Sequence, residues 1–314
     1  MAYTNTDTNM TPSSALSAGM QTYYNRELLR TFEPNLVHLQ FGDEHRMPPH
    51  SGLVMNMRKL IPLETNAKAL SEGDPGESVM LAETEVTVQL QQYGEYARCT
   101  DKLDLTHLDM DIMRRTKLFG DAGARSIDAV VREELAKCAN VIYAGGKASR
   151  AELTAADKLT SRELRKAVKT LKKNHAQTFG GYFVAIIGPD TMYDLQEDEA
   201  FVKVSQYQDK ENIYTGEVGR LFGVRLVETT EAKIFEGAGT DGADVASVIV
   251  LGQYAYGVTS LKGAKPRVIV KPAGSAGTAD PLDQISTVGW KMDGFGAKLL
   301  QPEYAVRIEC GFSA

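Results

Sequence analysis

The sequence has no pair of cysteines spaced for a metal site or a disulfide framework. Its 3 cysteines, Cys99, Cys138 and Cys310, are odd in number and far apart, and no CxxC occurs. Synthesis in a reducing compartment is the expectation. No run of about 18 apolar residues exists, so no membrane-spanning helix is predicted. The first twenty residues are rich in Thr, Ser and Asn without an apolar block, unlike a signal peptide. Positive charge is in deficit: Lys+Arg number 35 against 41 Asp+Glu, a net charge of -6. That balance excludes a basic coat protein held mainly by phosphate neutralisation. Catalytic signatures are also missing. There is no G-x-S-x-G, no G-x-x-x-x-G-K-[ST], no H-E-x-x-H and no cysteine beside an evident catalytic histidine.

What remains is globular material. Hydrophobic residues make up 43% and charged residues 24% of 314, enough for a sizeable core spread over about two domains. Residues 1–11 are polar and read as a flexible arm. Residues 15–32 carry Leu16, Met20, Tyr23 or Tyr24, and Leu28 at helical spacing, ahead of Pro34. Strands are predicted at 53–60 and 83–93. In the second, Val86, Val88 and Leu90 alternate with Thr87, Gln89 and Gln91. The intervening stretch of about twenty residues is charged, with Glu64, Lys68, Glu72, Asp74 and Glu77. Loops of that length are usually functional, and a two-stranded ribbon is marginal alone, so the ribbon needs a surface to lie on, another subunit being one candidate.

A long helix is predicted from Asp109 or Asp111 to about Tyr143, roughly 45 Å, on the stripe Ile127, Val131, Leu135, Cys138 and Ile142. Residues 160–227 read as an α/β unit. Thr160 to Glu163 forms a capping-box pattern, and Lys166, Lys169, Lys172 and Lys173 make one helix face basic. Residues 182–187 form an apolar strand, and Gly188-Pro189-Asp190-Thr191 opens another helix. Strands at 224–227, 245–251, 267–270, 286–290 and 304–310 complete the chain.

Three clusters invite chemistry, and each has a plainer reading. Gly237-Ala238-Gly239-Thr240-Asp241-Gly242 fits G-x-G-x-x-G, but a β-branched run follows where the fingerprint requires a helix. His45 and His50 are separated by Pro48-Pro49, which forbids one helix face, so loop polarity is the better reading. Asp101, Asp104, Asp109 and Asp111 lack EF-hand spacing and read as helix caps, as do His107 and His175 beside helix ends.

The order of arm, short helix, long charged hairpin, long helix, α/β unit and terminal strands resembles a tailed-phage major capsid protein of the HK97-type fold. The stretch Tyr182 to Leu195 (YFVAIIGPDTMYDL) is similar to an axial-domain strand and helix of that family, and residues 214–224 resemble its following loop and strand. Phe41-Gly42 and residues 63–75 (LETNAKALSEGDP) are similar to the N4-like major capsid protein family. The resemblance implies an α+β fold: arm and short helix (1–40), extended E-loop hairpin (41–100), spine helix with part of the peripheral domain (101–158), axial domain (159–243) and peripheral strands (244–314). It implies a structural protein without enzymatic activity or cofactor. Such a protein would be assembled in the host cytoplasm into pentamers and hexamers of a virion shell around double-stranded DNA. Portal, separate scaffold and decoration proteins would be its partners. The E-loop of this fold lies over a neighbour, so intersubunit contacts are expected at Arg26, Arg30, Glu64, Lys68, Glu72, Asp74 and Glu77. Two alternatives stand beside it: an encapsulin-like nanocompartment shell, and an α/β oxidoreductase built on Gly237–Gly242.

Overall fold

The structure, a computed structural model, describes residues 28, 36–48, 50–60, 83–100, 112–198, 201, 220–261, 265–275 and 280–313. In chain order the strands and helices are β1 (Asp43–Met47), β2 (Val54–Leu60), β3 (Glu83–Gln89), β4 (Gln91–Thr100), α1 (Ile112–Leu135), β5 (Val141–Tyr143), α2 (Ser161–Lys173), β6 (Phe183–Ile187), α3 (Pro189–Gln196), β7 (Arg220–Leu221), β8 (Val224–Glu228), β9 (Ile234–Phe235), β10 (Val245–Leu251), β11 (Tyr256–Leu261), β12 (Arg267–Lys271), β13 (Ile285–Leu299) and β14 (Ala305–Cys310). Two compact units form. One combines Met1–Val37, Gln91–Ala129 and Leu261–Phe295; the other combines His38–Leu90, Val130–Ser260 and Gly296–Ala314. Among the described residues no helix is long and apolar enough to cross a membrane.

The larger unit is organised by a seven-stranded mixed sheet in the order β5-β14-β10-β6-β8-β7, with β9 also on β10. Strands β6 (FVAII) and β10 (VASVIVL) are buried at every position. Unbroken apolar runs suit strands covered on both faces, whereas half-exposed strands alternate. Helix α2 turns Leu164, Ala167, Val168 and Leu171 into the core, and α3 adds Met192 and Leu195. These meet Phe183, Ala185 and Ile187 of β6, Val248 and Val250 of β10, and Val306 and Ile308 of β14 in one cluster. Both helix starts follow local chemistry. Pro189 stands at the first turn of α3, where no amide donor is missed. At α2 the Thr160 hydroxyl bonds the Glu163 carboxylate, and the Ser161 amide donates to Asp198 Oδ2 at 2.8 Å.

Two expectations change. The long helix ends at Leu135, not near Tyr143, and its 24 residues span about 36 Å. Ile127, Val131, Leu135 and Cys138 of the expected stripe are buried, but Val141–Tyr143 leaves the helix to pair in parallel with Arg307, Ile308 and Glu309. A β-branched pair beside a free sheet edge gains more from the ladder than from another helical turn. The predicted strand at 83–93 is two strands broken at Leu90, whose amide donates to the Leu53 carbonyl at 2.8 Å. On β14 the polar Arg307 and Glu309 are buried, at 9% and 0% exposed.

The smaller unit holds a sheet in which β13 pairs antiparallel with β12 on one side and β4 on the other. Val288, Trp290 and Met292 are buried on one face of β13. Across β13, Tyr96 pairs with Gly289, which pairs in turn with Ile269, and Arg98 pairs with Thr287, which pairs in turn with Lys271.

Candidate assembly surfaces

The expected intersubunit residues Arg26, Arg30, Glu64, Lys68, Glu72, Asp74 and Glu77 lie outside the described residues, as do Asp101, Asp104, Asp109, Asp111 and His107. The structure does define the base from which the charged segment departs. Strands β2 and β3 pair from Val54↔Gln89 to Leu60↔Glu83, so residues 61–82 connect their far ends. One face of this ribbon is seated on its own unit. Met57 and Val88 are 4% and 2% exposed. A side chain at Gly257 would bring its Cβ within 2.7 Å of Met57 Sδ, so glycine leaves the space in which that sulfur sits. Lys59 Nζ reaches Glu303 Oε2 at 2.8 Å, and the pairing holds the Glu303 carboxyl below its usual range. The other face is polar and wet: the Thr87 hydroxyl donates to Asn56 Oδ1 at 3.1 Å, and Arg58 lies 3.6 Å from Glu83. The ribbon base therefore rests on its own chain, where the sequence led us to look for another support. Met57, Lys59 and Glu303 carry no local signal of this; the contact spans more than two hundred residues.

The open face of the β4-β13-β12 sheet forms a shallow groove of about 630 Å³ along Tyr96, Arg98, Ile269, Lys271, Thr287 and Gly289. Tyr96 is 61% exposed, and the Arg98 guanidinium lies 5.7 Å from its ring centroid. Such a face can carry an extended segment, with apolar contact from the tyrosine and isoleucine and charge from its rim.

In the larger unit the buried ion pairs are structural. Glu309 is held by Arg150 Nε and Nη2, both at 2.7 Å, and lies 2.8 Å from Arg307 Nε. The Arg150 guanidinium stacks 3.6 Å above the Phe235 ring. Asp194 accepts from the Ser313 amide at 2.9 Å and hydroxyl at 2.6 Å, and Lys158 Nζ is 2.9 Å away. Burial pushes the Asp194 carboxyl up, but these donors outweigh it and hold it below the usual range. They tie the last described residue to α3.

Elsewhere the glycine loop and His45 have polar partners within the chain. The Gly237 amide donates to Asp244 Oδ1 at 2.7 Å, the Gly239 amide to the Ala243 carbonyl, and the Thr240 amide to the Leu153 carbonyl, both at 2.8 Å. A single 3-10 turn and then β10 follow, so no α-helix opens at these glycines as the dinucleotide fingerprint requires. His45 Nε2 lies 3.1 Å from Asp43 within β1. All three cysteines are free and buried. Burial, with Asp194, Glu163 and Glu309 nearby, pushes the Cys310 thiol up to about 12; a thiol so placed supplies no thiolate nucleophile.

The elements, a long helix, a two-stranded ribbon and two sheet-centred units, make up an α+β fold of the HK97 type. Residues 83–308 match the family described as phage capsid protein; the chain belongs to that family. Among solved structures it is similar to the capsid of Ralstonia phage GP4, with a TM-score of 0.68 and 14% identity over 100% of this chain and 98% of that one. It is also similar to the capsid of the cyanophage P-SCSP1u, with a TM-score of 0.65 and 16% identity over 87% of each chain. A virus-like particle from Pyrococcus furiosus matches with a TM-score of 0.53 and 14% identity, over 92% of this chain and 99% of that one. No curated protein sequence matches.

Proposed function

We propose that this chain is the major capsid subunit of a tailed bacteriophage, assembling in the host cytoplasm as pentamers and hexamers of an icosahedral shell around double-stranded DNA. The observation that carries it is the family match over residues 83–308. The reading includes no enzymatic activity and no cofactor. Within it α1 is the spine helix, the unit around α2, β6 and α3 the axial domain, and β2 and β3 the base of an E-loop. Residues 61–82 would then reach a neighbour through Glu64, Lys68, Glu72, Asp74 and Glu77, with Arg26 and Arg30 as candidate partners. Portal, scaffold and decoration proteins complete the assembly. The N4-like grouping rests on Phe41-Gly42 and residues 63–75.

The likeness to the Pyrococcus furiosus particle supports a second reading, a nanocompartment shell with protein cargo. Particles isolated from the native source distinguish the two. Nuclease-protected duplex DNA is expected after external digestion. Particles that hold protein cargo and no protected DNA would favour the nanocompartment.

A further inference from the structure

We propose that the outer face of α2 is a phosphate-binding ridge that lies against packaged double-stranded DNA. This rests on the shell reading above and assigns a residue set to the contact. Helix α2 carries six cations, Arg162, Arg165, Lys166, Lys169, Lys172 and Lys173. At about 100° per residue they fall within an arc of about 120°, and they extend along about 17 Å of helix. All but the half-buried Lys166 are exposed, because Leu164, Ala167, Val168 and Leu171 commit the opposite face to the core. The helix's one carboxylate, Glu163, is 4% exposed and bonded to Thr160, with Lys166 at 3.6 Å. Arg165 donates to the Ser161 carbonyl and its guanidinium lies 5.0 Å from the Phe222 ring. Among the described residues none of Arg162, Arg165, Lys169, Lys172 and Lys173 has a carboxylate within 4.0 Å.

Like charges three and four apart on a helix repel one another. Arg162 and Lys166, Arg165 and Lys169, and Lys169 and Lys173 are such pairs. The ridge therefore carries a standing cost, relieved only in part by placing Lys172 and Lys173 at the helix C-terminus. In a chain whose net charge is -6, this density of cations, with no carboxylate among the described residues within 4.0 Å of five of them, is a local feature. A polyanion would remove the repulsion. Protein interface cores are depleted of lysine and built around apolar anchors, and no apolar side chain of α2 lies among these cations. A track of phosphates needs only charge, and neutralising it releases counterions whatever the base sequence. The observations thus favour duplex DNA over an acidic segment of a neighbouring copy.

The test measures binding of the full-length protein to a labelled mixed-sequence duplex of about 30 base pairs, by anisotropy between about 50 and 200 mM salt. A variant carrying Arg162→Gln, Lys169→Gln, Lys172→Gln and Lys173→Gln alters exposed positions only. It should melt like the wild type, lose roughly tenfold or more in affinity at the lower salt, and show a log-log salt slope smaller by about 3–4. Lys169→Arg, Lys172→Arg and Lys173→Arg together should keep the binding. Equal binding by wild type and the glutamine variant, or no binding by wild type, overturns the ridge. So does displacement of the duplex by polyglutamate that grips the ridge as tightly, which would identify an acidic protein partner. Electron micrographs of the same samples separate the two levels. Shells in both proteins with unchanged DNA binding remove the ridge and leave the shell reading. Absence of shells in both, with binding lost in the variant, removes the shell reading and upholds the ridge.

Discussion

Glu309→Ala should destabilise the subunit by about 3–5 kcal/mol, the range for leaving buried charges without their partner. Glu309 is 0% exposed and supplies both oxygens to Arg150, with Arg307 at 2.8 Å. Its removal leaves the Arg307 side chain, 11% exposed, inside the sheet with no counter-charge among the described residues. Arg150 is 31% exposed and stacked on Phe235, so it can turn toward water more easily. The pair Arg46–Glu44 provides the contrast. Its side chains are 67% and 54% exposed, and an exposed pair contributes only about 0–1 kcal/mol. Arg46→Ala should therefore leave the denaturation midpoint nearly unchanged. Denaturant unfolding of both variants checks the prediction. A loss below about 1 kcal/mol for Glu309→Ala would mean that water already solvates the cluster.

Gly311→Ala should cost about 2–3 kcal/mol through overpacking, although it adds a single methyl group. A Cβ at position 311 would stand 2.1 Å from the Thr154 carbonyl oxygen and 2.9 Å from Ala155 Cα. Both are backbone atoms, so no rotamer change can make room. The opposing segment is itself fixed. Asp157 Oδ2 accepts from the Thr154 amide at 2.9 Å and hydroxyl at 2.8 Å, and the Gly311 amide donates to the Asp157 carbonyl at 2.9 Å. The substitution forces the end of β14 away from this turn, straining the Ser313–Asp194 anchor beyond it. Thermal melting of the variant reads the loss directly, and an unchanged melting temperature would show that the turn yields freely.

Strands β6 and β10 were legible in the sequence because each is one apolar run covered on both faces, a pattern that needs no partner to be recognised. Helix α2 was legible through its apolar stripe, and its basic face was visible too, but the expected capping box does not form: the Thr160 hydroxyl bonds the Glu163 carboxylate, not a backbone amide. The missed elements depend on distant partners. Helix α1 stops early because β5 pairs with β14, more than 150 residues on. Strand β1 (DEHRM) is too polar to suggest a strand. Strand β13 was read only at 286–290. Its 15 residues include Gly289, Gly294 and Gly296 and a register shift between Met292 and Phe295, which breaks the alternation that would reveal it. Nothing local to β14 signals that Arg150 and Phe235 will lie beside its polar residues. The ribbon base shows the same limit, since Lys59 gives no hint that Glu303 will meet it.

Assembly is the central claim, and electron microscopy of the purified full-length protein tests it most directly. Closed shells of uniform diameter are expected, with clusters of five and six subunits on their surface. A population that remains monomeric or dimeric at every concentration, salt and pH examined would contradict the account.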